Sequence, residues 1–272
     1  MTVRRYRPLL PYAAAVGVVL IIAFYAPLLT PYDPYAQDLE RALLAPSAEH
    51  LLGTDRYGRD LLSRVLVGAQ TTLGSALALL LFVSCTGSLI GAVSGYRGGR
   101  LDGFFMRLAD MLLAFPQLVF ALAIAGAFGG GLFYAAAALA FLGWAKYARI
   151  ARGLTLSLCA LPYMEAARMA GGSSLAVLRH HVLPNIAGPI LVTAALDLGT
   201  LTMELAGLSF LGLGAMPPTA EWGSMVSSGR SMLQTTPWVI LAPGAALTLT
   251  VAAFNLFGDK LRDVLAPKET NK

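Results

Sequence analysis

Six long stretches of this chain are apolar and poor in charged residues, and they constrain the fold more than any other feature. A helix that crosses the hydrocarbon core of a bilayer, about 30 Å thick, needs roughly 20 predominantly apolar residues. Each stretch has about this length and is therefore predicted to span a membrane. The predicted spans are Leu9–Leu29, Thr71–Tyr96, Phe104–Phe128, Leu132–Ile150, Pro189–Gly212 and Trp238–Phe257.

The composition excludes most other classes of protein. Of the 272 residues, 57% are hydrophobic and 13% are charged, whereas soluble domains are about 25% charged. Disordered chains contain too little apolar surface to match this composition, and collagen requires a strict glycine period. We therefore predict an all-α, polytopic membrane protein that forms one transmembrane domain over residues 1–272.

The distribution of Lys and Arg predicts the orientation of the spans. When the connecting segments are assigned alternately to two sides, fifteen of the 20 Lys and Arg residues fall on the side of the N-terminus. Positively charged loops stay in the cytoplasm, so both termini are predicted to be cytoplasmic. The net charge of +5 then belongs mainly to the inner loops and does not indicate nucleic-acid binding.

Two connections are too long to be mere turns, namely the outer segment, residues 30–70, and the inner loop, residues 151–183. In the outer segment, residues 30–70, apolar residues recur at helical spacing over Asp55–Val67, which predicts an interfacial amphipathic helix. The outer loop, residues 213–237, contains Glu221 and Trp222. These two residues are candidates for contact with a binding protein, for gating, or for an aromatic anchor at the membrane interface.

The sequence lacks motifs for nucleotide binding and for catalysis. It has no Gly-Lys pair and hence no phosphate-binding loop, so any energy source must lie in another chain. The segment Gly207–Leu211 lacks the second glycine of a nucleophile elbow. His180 and His181 would point about 100° apart on a helix, and Cys85 and Cys159 lie in different predicted elements. We predict no catalytic residue and no metal site in this chain.

The long inner loop, residues 151–183, carries the most informative pattern. Pro162 and the pair Gly171-Gly172 interrupt it, which predicts two short helices beneath the membrane. The sequence Glu165-Ala166-Ala167 precedes this glycine pair, and Leu183-Pro184 follows it. The two alanines permit close approach of another helix, and Glu165 supplies an orienting charge. Gly171 ends the first helix, Ser173 or Ser174 can cap the next, and Pro184 begins the return into the membrane.

This pattern resembles the EAA loop of binding-protein-dependent ABC importer permeases. In that family the loop forms a coupling helix that docks on a cytoplasmic ATPase. The resemblance implies a coupling role for the matching residues here. They are Glu165, Ala166, Ala167, Gly171, Ser173, Leu183 and Pro184.

Other segments resemble the C-type permeases of the peptide and nickel branch of this family. They are Leu51–Asp60 with Ser63-Arg64, Leu208–Gly214, Pro217–Gly223, and Phe254–Asp259 with Leu261–Asp263. Three more are similar to nickel-type permeases in particular, namely Trp144–Arg149, Leu196–Gly199 and Ala206–Ser209. The implied cargo is nickel or a metal chelate, with di- or oligopeptides as the alternative.

The resemblance also implies the setting in which the chain works. It implies a type I ABC importer architecture in the bacterial inner membrane, surrounded by lipid, with a homologous second permease as heterodimer partner. Two ATPase subunits would bind ATP and magnesium, and an extracytoplasmic protein would deliver the cargo. No cofactor is expected in this chain itself. A channel or secondary transporter that works alone, or an intramembrane enzyme, remains a more remote alternative.

Two acidic residues lie within the fifth predicted span. Asp197 and Glu204 are seven residues apart, nearly on one face of a helix, with Thr200 on the same side. An acidic side chain at the centre of a membrane helix costs about 2.5–3.5 kcal/mol, so both should face the bundle interior or a watery path. One hypothesis is that this face lines the translocation pathway and attracts a cationic cargo. The other is that the acids hydrogen-bond to the partner permease or to backbone.

Two features of the predicted spans concern packing. Gly87, Gly91 and Gly95 form a stripe of small residues in the second span, which predicts close approach of another helix. Pro116 in the third span predicts a kink.

Overall fold

The structure, a computed structural model, describes residues 7–171 and 173–265, and within this part of the chain it contains helices but no strand. A single antiparallel bridge joins Thr54 and Asp60. Short 3-10 turns occur at Arg7–Leu9, Leu39–Arg41 and Arg230–Met232. The α-helices are α1 Leu10–Leu29, α2 Leu61–Arg97, α3 Gly99–Leu113, α4 Gln117–Ala127, α5 Leu132–Cys159, α6 Pro162–Met169, α7 Ser174–Phe210, α8 Trp222–Gly229 and α9 Trp238–Leu265.

The all-helical fold confirms the predicted class, and several helices are suited to a membrane. Among the described residues, the helices α1, α2, α7 and α9 are long and apolar enough to cross a bilayer. Helices α3 and α4 meet the same criterion together, although they are bent by 85° at the break between them. Helix α5, which carries Lys146, Arg149 and Arg152, is not among them. The count of six spans and their orientation therefore stay predictions.

The predicted third span, Phe104–Phe128, is wrong as a single kinked helix. Helix α3 ends at Leu113 and α4 begins at Gln117, so the chain turns at Pro116. Proline has no N–H to donate, and it disfavours the helical conformation of the residue before it. The carbonyl of Pro116 accepts from the N–H of Phe120 at 3.1 Å and thereby starts the next helix.

The predicted amphipathic helix over Asp55–Val67 is wrong for residues 55–60 and as a separate element. Residues up to Asp60 form turns, and α2 begins at Leu61 and runs on without a break. Asp60 caps the helix, since its Oδ2 accepts from the backbone N–H of Ser63 at 2.8 Å and from the Ser63 hydroxyl at 2.7 Å. No residue between this cap and the apolar span stops the helix, so both form one element of 37 residues.

The chain divides into two compact units. One comprises the described parts of Met1–Ala78, Ala121–Ala136 and Ala195–Lys272, and the other comprises Leu79–Phe120 and Ala137–Ala194. In the first unit, α9 packs against α1 and α8. In the second unit, Leu112 of α3 and Leu142 of α5 belong to one buried cluster.

The glycine stripe of α2 packs directly on α5 within the second unit, as the sequence predicted. A Cβ atom at Gly87 would collide with the carbonyl oxygen of Trp144, and one at Gly91 would collide with that of Ala148. At Gly95 the added atom would lie 3.0 Å from the carbonyl oxygen of Arg152. The glycines therefore allow the two helix backbones to touch.

Replacing Gly91 by alanine is expected to lower the apparent melting temperature of the purified protein. The added methyl group forces α2 away from α5, and overpacking of this kind costs about 1–3 kcal/mol. Intrinsic tryptophan fluorescence during heating in lipid nanodiscs measures the change. Gly153→Ala in α5 is the control, because its added Cβ meets nothing within 4 Å. Equal melting temperatures of the two variants would contradict the packing described.

Candidate functional site

The inner loop differs from the two separate short helices that the sequence predicted. Helix α5 continues through Ala151 as far as Cys159, which leaves a turn before α6 begins at Pro162. The second helical piece begins at Ser174 and is continuous with the apolar part of α7. Within the described part of the inner loop, only α6 is therefore a separate short helix. We refer to residues 162–171, which contain α6 and Gly171, as the EAA segment.

Helix α6 presents part of the predicted motif on its surface. Glu165 and Ala166 are exposed, Ala167 is half-buried, and Met169 is 82% exposed. Met164, by contrast, is fully buried and holds the helix against the body of the chain. The exposed face therefore combines one acidic side chain with small and apolar ones, a surface suited to contact with another protein.

Glycine ends α6 as the sequence predicted. The N–H of Ala170 donates to the carbonyl of Ala166 at 2.9 Å, and Gly171 follows with φ of +81°. This left-handed conformation is readily available to glycine and reverses the chain after the helix.

Ser173 caps the following helix, which confirms one of the two predicted capping residues. Its Oγ accepts from the backbone N–H of Ala176 at 3.3 Å, and its carbonyl accepts from the N–H of Val177 at 2.9 Å. Ser173 thus starts the next helix soon after the glycine turn that ends the EAA segment.

Pro184 lies inside α7 and not at the start of a helix, so the prediction for this residue is wrong. A wide turn of π-helix over Leu178–Val182 precedes it, and the N–H of Leu183 donates to the carbonyl of Leu178, five residues back. The Asn185 side chain donates to the carbonyl of His181 at 2.6 Å. The wide turn gives the proline ring room against the preceding turn, so the helix continues.

The three candidate pathway residues share helix α7. Asp197 and Glu204 are half-buried and Thr200 is exposed on the isolated chain, and both acids have interaction partners. Near them, α7 packs tightly on α9. A Cβ at Gly199 would lie 2.5 Å from the Asn255 Oδ1, and one at Gly258 would lie 2.8 Å from the Leu196 side chain. The helix thus places the three residues in the register that the sequence predicted, while their role stays a prediction.

Glu221 and Trp222 form an anchor within the chain. Glu221 is 1% exposed, and its carboxylate accepts from the N–H of Gly223 and that of Ser224, both at 2.9 Å. The Thr72 hydroxyl donates to the same carboxylate at 3.2 Å. Burial raises the pKa of Glu221, and the two backbone hydrogen bonds oppose that shift. Glu221 is therefore the N-cap of α8 and ties that helix to α2.

The Trp222 side chain completes this anchor. It is 3% exposed, and its Nε1 donates to the carbonyl of Val65 at 2.9 Å. Its backbone N–H donates to the Thr72 hydroxyl at 3.1 Å. Of the alternatives that the sequence left open, direct contact of these two side chains with another protein does not fit such burial. Thr72 and Glu221 are 149 residues apart in sequence. A pattern within a short sequence window therefore does not identify the anchor.

Charged residues of the outer segment form a buried cluster. Asp55 is paired with Arg59 at 2.7 Å and with Arg64 at 3.6 Å, and His50 Nδ1 lies 3.0 Å from Asp60 Oδ1. All five side chains are at least nine-tenths buried. These buried ion pairs therefore hold the outer segment against the start of α2. No group of three or more His, Cys, Asp or Glu suited to a metal ion occurs in the described part of the chain.

Truncation of the anchor is expected to destabilise the protein. Glu221→Ala removes the cap and leaves two buried N–H groups without their acceptor, at a cost of about 1–3 kcal/mol. The expected result is a lower melting temperature in the same fluorescence assay. The control is Glu49→Ala, which breaks an exposed pair with Arg41 and should cost about 0–1 kcal/mol. A melting temperature for the Glu221 variant as high as that of the control would exclude the anchor.

Comparison with known proteins identifies the family. Residues 87–271 match the family described as binding-protein-dependent transport system inner membrane component. The probable D,D-dipeptide transport system permease protein DdpC of Escherichia coli (strain K12) is 43% identical over 260 residues, which cover 96% of this chain and 87% of that protein. The nickel transport system permease protein NikC of the same strain is 42% identical over 252 residues, 93% of this chain and 91% of that protein.

A third relative is named as a dipeptide permease. The dipeptide transport system permease protein DppC of Alkalihalophilus pseudofirmus is 38% identical over 260 residues, 94% of this chain and 86% of that protein. Peptide and nickel permeases are thus similar to this chain to nearly the same degree, so nickel is not favoured over peptide. The chain belongs to the family of binding-protein-dependent transport system inner membrane components and is an inner-membrane permease subunit of an ABC importer.

Proposed function

We propose that this chain and a homologous second permease form the pore of an ATP-driven importer. An extracytoplasmic binding protein delivers the cargo, and two separate ATPase subunits bind ATP and magnesium and drive the transport cycle. The family match and the names of the relatives support this proposal. The absence of a phosphate-binding loop from the sequence is consistent with an energy source in another chain.

The proposed topology has six spans with both termini in the cytoplasm. Helices α1, α2, α7 and α9 supply four of them, and the bent pair α3 and α4 supplies one. Helix α5 supplies the remaining span over the predicted range Leu132–Ile150. The excess of Lys and Arg in the segments on the side of the N-terminus supports this orientation.

The observation that carries the proposal is the exposed helix α6 in a chain of this family. It presents Glu165 and Ala166 outward, ends in the turn at Gly171, and is followed by the cap at Ser173. A short helix that is anchored on one side and exposed on the other suits insertion into a groove of a partner protein. We assign this groove to an ATPase subunit.

The mechanism requires movement and no bond-breaking step in this chain. Closure of the two ATPases on ATP displaces α6, and the displacement opens the pore toward the binding protein. Return of the ATPases to the open state restores the inward-facing pore. The work comes from a difference in contact free energy between the two states of the assembly.

The first candidate for the cargo is Ni²⁺ or a metal chelate, and the second is a di- or oligopeptide. Asp197 and Glu204 support a cation, because a carboxylate in a low-dielectric surrounding attracts positive charge strongly. The peptide candidate rests on the relatives that transport dipeptides by name.

Gly171→Asp is expected to reduce ATP-dependent uptake by tenfold or more. The side chain strains the left-handed turn and adds a negative charge beside the exposed face of α6, which weakens the contact with the ATPase. Uptake is measured in proteoliposomes that contain both permeases and the ATPases, and co-purification of the ATPases reports on assembly.

A matched control for this variant is Gly212→Asp. Gly212 also has a left-handed φ, of +83°, and open space around its Cα, but it lies outside the EAA segment. Its uptake should stay within about twofold of the wild type, since only local strain is introduced. Undiminished uptake by the Gly171 variant would overturn the coupling role of the segment.

The pathway hypothesis predicts a charge-dependent loss of uptake. The double variant Asp197→Asn with Glu204→Gln keeps the size of both side chains and removes both charges. Uptake is measured for Ni²⁺ alone, Ni²⁺ with histidine as chelator, and glycylglycine. Uptake of Ni²⁺ alone is expected to fall at least tenfold, because the attraction of the two carboxylates for the cation is lost.

Asp263→Asn is the control for charge removal, since Asp263 forms an exposed pair with Lys260 at 3.2 Å. It should leave uptake unchanged. Unchanged uptake by the double variant would remove the pathway role. Uptake of glycylglycine in preference to either form of nickel by the wild type would favour the peptide candidate.

A further inference from the structure

Two ion pairs join α3 to α5 within the second unit. Arg152 binds Asp102 in a bidentate manner, with Nε 2.5 Å from Oδ1 and Nη2 2.6 Å from Oδ2. One helical turn before Arg152, Arg149 Nη1 lies 2.7 Å from Asp110 Oδ1. The two pairs link the same two helices, so their burial and geometry can be compared directly.

The pairs differ in burial and in geometry. The Asp102 side chain is 14% exposed and that of Arg152 is 34% exposed, whereas both side chains of the other pair are 55% exposed. Bidentate Arg–carboxylate contacts with little solvent around them hold a defined geometry, while exposed single contacts contribute little. Only the Asp102–Arg152 pair is therefore suited to fix one helix against the other.

Arg152 lies close to the point where α5 leads into α6. Helix α5 ends at Cys159 and α6 begins at Pro162. On another side of α5, Gly95 of α2 approaches the same turn. A Cβ at Gly95 would lie 3.0 Å from the Arg152 carbonyl oxygen and 3.1 Å from the Thr155 Cβ. The turn from Arg152 to Thr155 is thus held by the α2 backbone and by a carboxylate of α3, one further turn before α5 ends.

We propose that Asp102 and Arg152 are positioning residues for α6. They hold α5 near its end against α3. A displacement of α6 then moves the helices of this unit together and does not merely bend or rotate the end of α5. Helix ends without such partners fray, since their last carbonyls lack internal donors. This inference rests on the proposed function, because it assigns a role in ATPase coupling.

The test compares uptake per ATP hydrolysed in proteoliposomes that contain both permeases, the ATPases and the binding protein. The variants are Asp102→Asn, Arg152→Lys and the exchange Asp102→Arg with Arg152→Asp. Two probes are used separately. One is Ni²⁺ with histidine as chelator, and the other is glycylglycine. Asp102→Asn is expected to lower uptake per ATP at least fivefold while the ATPases still co-purify in full. Arg152→Lys keeps the charge but loses the bidentate contact and should give an intermediate ratio.

The matched control is Asp110→Asn, which breaks the exposed pair on the same two helices and should keep the wild-type ratio. The exchange variant restores an ion pair and is expected to recover at least half of the wild-type ratio, which a general loss of folding would not allow. A ratio for Asp102→Asn equal to that of Asp110→Asn overturns the proposal. So does an exchange variant that is as poorly coupled as the single variants.

Failure of the proposed function gives a different result. In that case the wild type neither co-purifies with the ATPases nor takes up either probe in an ATP-dependent way. Failure of the positioning role alone leaves a wild type that assembles and transports, together with an Asp102 variant that couples as well as its control.

Discussion

The structure depends on one constraint, which is that a backbone surrounded by lipid must satisfy its own hydrogen bonds. Helices meet this requirement, and the described part of the chain is helical except for turns and connections. Every interruption therefore needs a local device that replaces the lost bonds. Asp60 and Glu221 supply carboxylate caps, Ser173 supplies a hydroxyl cap, and the wide turn before Pro184 supplies bonds to carbonyls five residues back.

These devices explain which parts of the fold the sequence predicts and which it does not. The apolar runs predict α1 and α9 well, because hydropathy reports directly on burial in lipid. The apolar runs do not predict that α2 begins at Leu61, because a helix can continue beyond the point where its surroundings become polar. Its start depends on the contact of Asp60 with Ser63, a signal of two residues that a search by hydropathy passes over.

Proline illustrates the same limit. Pro116 and Pro184 are both preceded by helix-forming residues, yet the chain breaks at the first and continues through the second. The difference lies in the π turn at Leu178–Val182, which gives the ring of Pro184 room against the preceding turn. A rule for proline alone cannot separate these cases, since the outcome depends on the width of the helical turn before the ring.

The candidate site is predictable to the extent that its signal is local. Glu165, Ala166, Ala167 and Gly171 follow one another closely, so a motif identifies them and the structure gives them a helix and a turn. The carboxylate of Asp102 meets Arg152 across 50 residues, and no pattern within a short window connects the two. In the positioning role proposed above, such a long-range pair holds the short exposed helix rigidly against the helices of its unit. A motif can therefore name the surface that a partner contacts, whereas only the packing behind that surface determines whether force applied there reaches the membrane.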